Sequence, residues 1–225
     1  MSKIISIANR KGGVSKTSTG LFLATALARN KDYKIMYLDC DSQASAYQYR
    51  QFEKQNIYGS DTTPPYPIRR TNPTYIFDEI QDYKERYDFI FIDIPRLTHG
   101  EGDSRIASIL TLCNIVLVPI KSGELDNLST LGFIKMLQEI AAYKAEKNHE
   151  YQYAAFLSMT GRRKTDDADA RAFIESLNVP LFENELKDVR ALSRPYTYES
   201  LLDKTKEERK RFEPFFNEFT KTFNL

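Results

Sequence analysis

Cysteine, histidine and long apolar runs are all scarce in this chain. Its 225 residues include two cysteines and two histidines. Cys40 and Cys113 lie in apolar, strand-like runs, so they read as reduced core residues and not as a disulfide framework. His99 and His149 are isolated, which leaves no Cys/His set with metal-ligand spacing. No apolar run approaches the length of a bilayer span. The N-terminus enters an apolar strand directly, so no secretory leader is expected. A formal net charge of +1 argues against polyanion binding by bulk charge. Any nucleic-acid contact must come from a local patch. No internal repeat or clear domain linker interrupts the chain, and one large α/β domain of residues 1–225 is expected. Its length and its 41% hydrophobic content suffice for a sizeable core.

What is present is an alternation of short and long segments. Residues 3–8, 34–39, 88–94, 114–120, 153–159 and 179–182 are near-continuously apolar and β-branched. That pattern suits strands covered on both faces. Between them, residues 16–30, 43–55, 74–85, 104–112, 125–147 and 166–177 carry helical patterning. Such alternation predicts right-handed crossovers and a doubly wound, mostly parallel sheet in a three-layer α/β/α arrangement. Residues 59–73 hold four of the nine prolines. They predict a long irregular connection, with a short strand near 66–69. Both a functional loop and a tolerated surface insertion fit it.

The first strand leads into Asn9-Arg10-Lys11-Gly12-Gly13-Val14-Ser15-Lys16-Thr17-Ser18. A strand, a Gly-Gly turn and a helix opening with Lys-Thr form a phosphate-binding layout. Backbone N–H groups and the helix dipole favour an anion there. Lys16 is placed to reach β/γ-phosphates and the Thr17 hydroxyl to ligate Mg²⁺. Further polar residues end the next strands. Asp39-Cys40-Asp41-Ser42-Gln43 follows the second, and Phe89–Asp93 is four apolar residues closed by a carboxylate. Ligands of open parallel sheets bind at these carboxyl ends. Asp93 is expected near Mg²⁺, through a coordinated water.

The strict P-loop pattern fails, because Arg10 and Ser15 stand at its glycine positions. The form that remains, Lys11-Gly12-Gly13-x-x-Lys16-Thr17, resembles the deviant Walker A motif of the ParA/MinD ATPases. The resemblance implies a P-loop NTPase-like fold, ATP and Mg²⁺ as cofactors, and a nucleotide site spanning Lys11, Gly12, Gly13, Val14, Ser15, Lys16, Thr17 and Ser18. It further implies that Lys11 crosses a dimer interface to the partner's nucleotide. Asp39, with Thr17 and Asp93, would support the metal shell, and Asp41 would position the attacking water. Lys11, Lys16 and Asp41 are therefore the expected catalytic set. The family usually has Gly where Ser15 stands, and a Cβ there strains the loop if φ is positive. Ser42 replaces a common Pro, and Ile94-Pro95-Arg96 replaces the usual Thr-Pro-Pro. Val116–Ile120 resembles the strand carrying the family's dimer-side proline. Met159–Thr165, with three adjacent cations, corresponds to a loop near adenine in relatives. Those cations equally suit a neighbouring subunit, DNA or solvent.

The C-terminal portion is locally basic. Residues 186–211 carry eight Lys/Arg against five acids. Asp188–Pro195 resembles the ParA segment that contributes an arginine to sequence-independent DNA binding, with Arg190 at the matching position. Arg194, Lys204, Lys206, Arg209 and Lys210 extend the candidate patch, since phosphate contacts need only Lys and Arg. A solvated basic face with acid partners at helical spacing is the other reading of 204–211. Phe212, Phe215, Phe216, Phe219 and Phe223 fall on one helical stripe. Glu213 and Glu218 on its polar side disfavour anionic lipid, so a packing face is expected, and Pro214 suggests a fresh helix start.

The short ParA class, without a separate N-terminal DNA-binding domain, is the nearest resemblance. It implies an ATP-dependent homodimer on nonspecific DNA, a ParB-like adaptor that stimulates slow hydrolysis, and a cytoplasmic, nucleoid-associated protein that segregates or positions cargo. A MinD-like membrane-associated ATPase and a nucleotide-dependent dimerisation scaffold are the alternatives.

Overall fold

The computed structural model describes residues 2–95, 101–121, 127–160, 164–188, 190–193 and 196–225. Side chains of 101–103, 127, 128, 164, 166, 190 and 193 lie outside the description. The strands are β1 (Lys3–Ile7), β2 (Ile35–Asp39), β3 (Ile68–Arg70), β4 (Phe89–Asp93), β5 (Ile115–Lys121), β6 (Gln152–Thr160) and β7 (Leu186–Lys187). They form one seven-stranded sheet in the order β3-β2-β4-β1-β5-β6-β7, and every pairing is parallel. The predicted doubly wound class is observed.

Each central strand serves two cores because its side chains alternate. Ile5 and Ile7 of β1, with Phe89 and Phe91 of β4, enter one core. Ile4, Ile90 and Ile92 enter the other. The first core is closed by α1 (Lys16–Asn30), α2 (Ser45–Glu53), α7 (Arg190–Ser193), α8 (Leu201–Lys204) and α9 (Lys206–Thr222). The second is closed by α3 (Ile76–Tyr83), α4 (Glu101–Leu112), α5 (Asn127–Glu146) and α6 (Lys164–Ser176). Three layers result, with the site-bearing loops at the carboxyl edge of β1, β2 and β4.

Two local expectations are corrected. Residues 179–182 form no strand. A single bridge joins Leu181 to Ala155, because Pro180 lacks a ladder donor. The edge slot beside β6 is then filled by the two-residue β7. The last helix does not restart at Pro214 but runs from Lys206 through it. Thr205 caps that helix by accepting the Glu208 N–H at 3.1 Å, and Thr205-x-x-Glu208 is a capping box. Pro214 is exposed, so the carbonyl left without a donor faces water.

The Phe stripe is core. Phe212, Phe215 and Phe219 are 0% exposed. Phe22 of α1 lies 5.4 Å from Phe212, and Phe156 of β6 lies 5.0 Å from Phe215, centroid to centroid. Cys40 and Cys113 are free and buried, as their sequence setting implies.

Candidate functional site

The loop after β1 is pinned before it reaches the glycines. The Asn9 side chain donates to the Pro119 carbonyl at 2.7 Å and accepts the Lys11 N–H at 3.0 Å. This ties the loop to β5. Val14 is buried, and its carbonyl accepts from the Ser158 hydroxyl at 3.3 Å. Between these anchors the backbone turns through positive φ at Gly13 (70°) and again at Ser15 (63°). The strain foreseen for a Cβ at position 15 is therefore present. A left-handed L-residue costs about 1–2 kcal/mol.

Ser15 is the residue before α1 and makes no side-chain cap. The first turn of α1 also holds no acid. The N-terminal end of this helix, with its positive dipole end, is directed into the loop. Lys16 Nζ donates to the Lys11 carbonyl at 2.8 Å and the Asn9 carbonyl at 3.3 Å. The ammonium thus lies over the loop, next to the N-terminal end of α1. Together these groups make a concave anion cradle.

Asp93 ends β4 beside the cradle and is 4% exposed. The Thr17 side chain lies beside it. Asp93 Oδ2 is buried with no partner. Burial pushes the Asp93 carboxyl up to about 7, while Thr17 and Lys16 pull it down and Asp39 and Asp41 push it further up. A desolvated carboxylate with a spare lone pair, next to a hydroxyl, suits a hard cation with oxygen ligands. No cluster of three or more His, Cys, Asp or Glu able to hold a metal occurs among the described residues. Magnesium bound to phosphates keeps several waters and needs only one or two protein oxygens, which Thr17 and Asp93 could supply. The residues present therefore fit both a nucleotide phosphate and Mg²⁺.

Asp39 pairs in register with Asp93 across β2 and β4, yet its bonds run elsewhere. Its two oxygens accept the N–H groups of Asp41 at 3.3 Å and Tyr47 at 3.0 Å. Burial still raises its pKa. Asp39 therefore anchors the start of α2, where a carboxylate also complements the helix dipole. Asp41 is half-buried and accepts the Gln43 N–H at 2.9 Å.

A cleft of about 800 Å³ joins these elements. It is lined by Gly13–Ser18, Asp41–Gln43, and Ile94 and Pro95 after β4. Sequence reasoning missed several other walls. Tyr49 projects from α2, and Lys187, Asp188 and Leu192 come from the β7–α7 segment, while Met159, left-handed and one residue before the end of β6, belongs to the 159–165 run that the resemblance placed near adenine. A Tyr four residues after Ser45, on the same helix face, was the available signal for Tyr49. Lys11 is half-buried and is not among the cleft-lining residues.

The candidate DNA patch is dispersed. Arg190 opens α7, but its side chain, Arg194, Arg96, Arg162 and Arg163 lie outside the described residues. Lys204 is held by Glu199 at 2.7 Å and sits 3.7 Å over the Tyr196 ring. Arg209 donates to the Leu202 carbonyl at 2.8 Å and pairs with Asp203 at 3.2 Å. Lys206 and Lys210 are exposed on the first turns of α9.

An AAA domain family model matches residues 2–63, the stretch holding the cradle and the Asp39–Gln43 loop. Solved structures extend the likeness to the whole chain. An ATP complex of McdA from Cyanothece superposes with a TM-score of 0.71 at 15% identity, covering 100% of this chain and 97% of that one. A putative plasmid partition protein from Borrelia burgdorferi bound to AMPPNP gives 0.64 at 19%, covering 99% and 100%. Cobyrinic acid a,c-diamide synthase from Mycobacterium smegmatis, bound to an ATP analogue and magnesium, gives 0.68 at 17%, covering 96% and 93%. At such identities the likeness shows a shared fold along essentially the full length of the chain.

Proposed function

We propose that this chain, folded as the ParA/MinD-type ATPases are, binds MgATP in the cleft and hydrolyses it to drive ATP-dependent dimerisation on DNA. The observation that carries the reading is the conjunction at one cleft of the uncapped α1 N-terminus, Lys16 and Thr17, with Asp93 and its spare carboxylate oxygen buried beside Thr17. Lys16 would contact the β/γ-phosphates, and Thr17 and Asp93 would hold Mg²⁺. The cation, when bound, supplies charge neutralisation at the phosphoryl group in flight. Asp41, at the rim of the cleft, would orient the attacking water. The neighbours' nucleotides and magnesium support this choice of ligand.

For the dimer, the support is the family resemblance of Lys11, which sits half-buried in the loop before Gly12. A second copy docked over the cleft would receive it. Two basic surfaces, from the Arg190 segment and from Lys206 and Lys210, would then face one duplex together. Paired sites raise avidity without new contacts, so DNA affinity becomes conditional on ATP. Segregation or positioning of a plasmid, chromosome or other cargo, with an adaptor that stimulates turnover, is the cellular role that suits such a switch. A cytoplasmic, nucleoid-associated location follows from that role. The Phe stripe does not serve the MinD-like alternative as an anchor, because it is buried under α1 and β6. No described helix is long and apolar enough to cross a membrane.

The test is retention of purified protein on nonspecific duplex DNA with MgATP or MgADP across a salt series. Retention is expected with MgATP alone, with log affinity falling by about 0.9 per log salt for each phosphate contact. Arg190→Glu is expected to abolish retention and keep ATP-dependent dimerisation. Equal retention in both nucleotide states would overturn the ATP gate. Unchanged retention by Arg190→Glu would move the patch elsewhere.

A further inference from the structure

The two helices that begin at the cleft, α1 and α2, grip the same distant segment through buried polar bonds. On the inner face of α2, Arg50 is 4% exposed and Glu53 3% exposed. Arg50 Nε donates to Thr197 Oγ1 at 2.7 Å, Nη2 to the Thr197 carbonyl at 3.0 Å, and Nη1 to the Tyr66 carbonyl at 2.6 Å. Its guanidinium also faces the rings of Tyr66 and Tyr198 at 4.8 and 5.1 Å. Glu53 Oε2 accepts the Thr197 N–H at 2.9 Å and the Thr197 hydroxyl. Thr197, itself 0% exposed, therefore uses its amide, its carbonyl and both functions of its hydroxyl on two residues of α2. From α1, Thr25 Oγ1 reaches the Tyr196 carbonyl at 3.1 Å and the Tyr66 hydroxyl at 2.8 Å.

The segment so held leads straight into basic surface. Tyr58, just beyond α2, stacks on Tyr198 at 4.4 Å. Lys204 is clamped by Glu199 and Tyr196, and Thr205 after it caps α9, whose first turns expose Lys206 and Lys210. At the other end of α2, Asp39 accepts the Tyr47 N–H of its first turn, while Asp41, which bonds the Gln43 N–H just before the helix, and Ser45, its first residue, line the cleft. A satisfied buried network is stiff, because any relative shift leaves a desolvated donor or charge unpaired.

We propose that Arg50, Glu53 and Thr197 form a strut through which loop 39–44 sets the position of segment 196–204, so that nucleotide in the cleft controls the presentation of the basic start of α9. The strut rests on the nucleotide reading above. It makes Glu53, Arg50 and Thr197 positioning residues that touch neither nucleotide nor DNA.

Hydrogen–deuterium exchange tests it without DNA. In the full chain, Mg²⁺ with a non-hydrolysable ATP analogue is expected to slow exchange in 13–18 and also in 197–204. The second effect should reach about fivefold or more, the low end of ordinary coupling between sites. Thr197→Val, near-isosteric, is expected to keep analogue affinity and the protection of 13–18 but lose that of 197–204. Arg50→Lys, which keeps the charge but not the three-way geometry, should behave alike and serves where Thr197→Val does not fold. Protection of 13–18 with unchanged exchange at 197–204 in the unsubstituted chain would overturn the strut and leave the nucleotide reading standing. Retained protection of 197–204 in a folded strut variant would overturn it equally. No protection of 13–18 would remove the nucleotide reading, and the strut with it.

Discussion

Ser15 and Lys16 show how much one position of this loop decides. Ser15 holds φ at 63° with a Cβ attached, at a position where glycine would meet no steric penalty. Its hydroxyl lies 3.3 Å from that of Thr19, a contact too long to offset much. Ser15→Gly is therefore expected to raise stability by about 0.5–1 kcal/mol, the left-handed strain less glycine's greater unfolded freedom. In thermal melts that is roughly 1–4 °C for a chain of this size. A drop of similar size would show that the loop is held by contacts of Ser15 and not strained by it. Lys16→Ala removes the ammonium now held by the Lys11 and Asn9 carbonyls. If it is the phosphate ligand, ATP affinity falls by roughly ten- to a hundredfold or more, the worth of a charged hydrogen bond. Titration with a fluorescent ATP analogue reads this directly, and unchanged affinity would sink the P-loop assignment. The residues of the cradle were legible because strand, turn and helix signals meet there. The orphaned oxygen of Asp93 and the amide bonds of Asp39 were not, since both depend on register between β2 and β4.

Among the elements, those with one dominant signal were read well and those at the sheet edge were not. β1, β2, β4 and β5 are apolar runs bounded by polar residues, and α1 starts at Lys16 as its sequence indicates. Residues 179–182 look equally strand-like, yet Pro180 denies them a ladder. β7 is two residues long and carries no pattern of its own. In α9 the Thr205–Glu208 capping box and the packing of the Phe stripe outweigh the proline, and the helix continues through it. Phe219 is 0% exposed and meets Phe223 edge-on at 5.6 Å. Phe219→Ala is expected to cost about 3–5 kcal/mol in denaturant unfolding, the transfer loss plus the cavity. A membrane-facing stripe would instead leave stability in solution nearly unchanged, so the measurement separates a packing helix from an anchor.

At the scale of the molecule, the chain is near-neutral, so any basic face has to be local. Lys206 and Lys210, exposed at the start of α9, are carried by the layer that α1 and α2 also build. Both α1 and α2 begin at the nucleotide cleft. Under the proposed function, chemistry at the cleft would be linked to geometry at that layer, and turnover would time assembly. Asp41 isolates that timer. It lines the cleft, is half-buried, and bonds to the Gln43 amide, so its removal spares the cradle. Asp41→Ala is expected to bind MgATP with unchanged affinity and to lose about 10²–10⁴ in kcat, the usual span for a group that positions or activates the nucleophile. With hydrolysis stopped, the ATP-bound dimer should persist in light scattering over times at which the parent protein returns to monomer. Hydrolysis at the parent rate would take Asp41 out of the reaction. Slow hydrolysis with no accumulation of dimer would uncouple the chemistry from assembly and leave a nucleotide-binding module in its place.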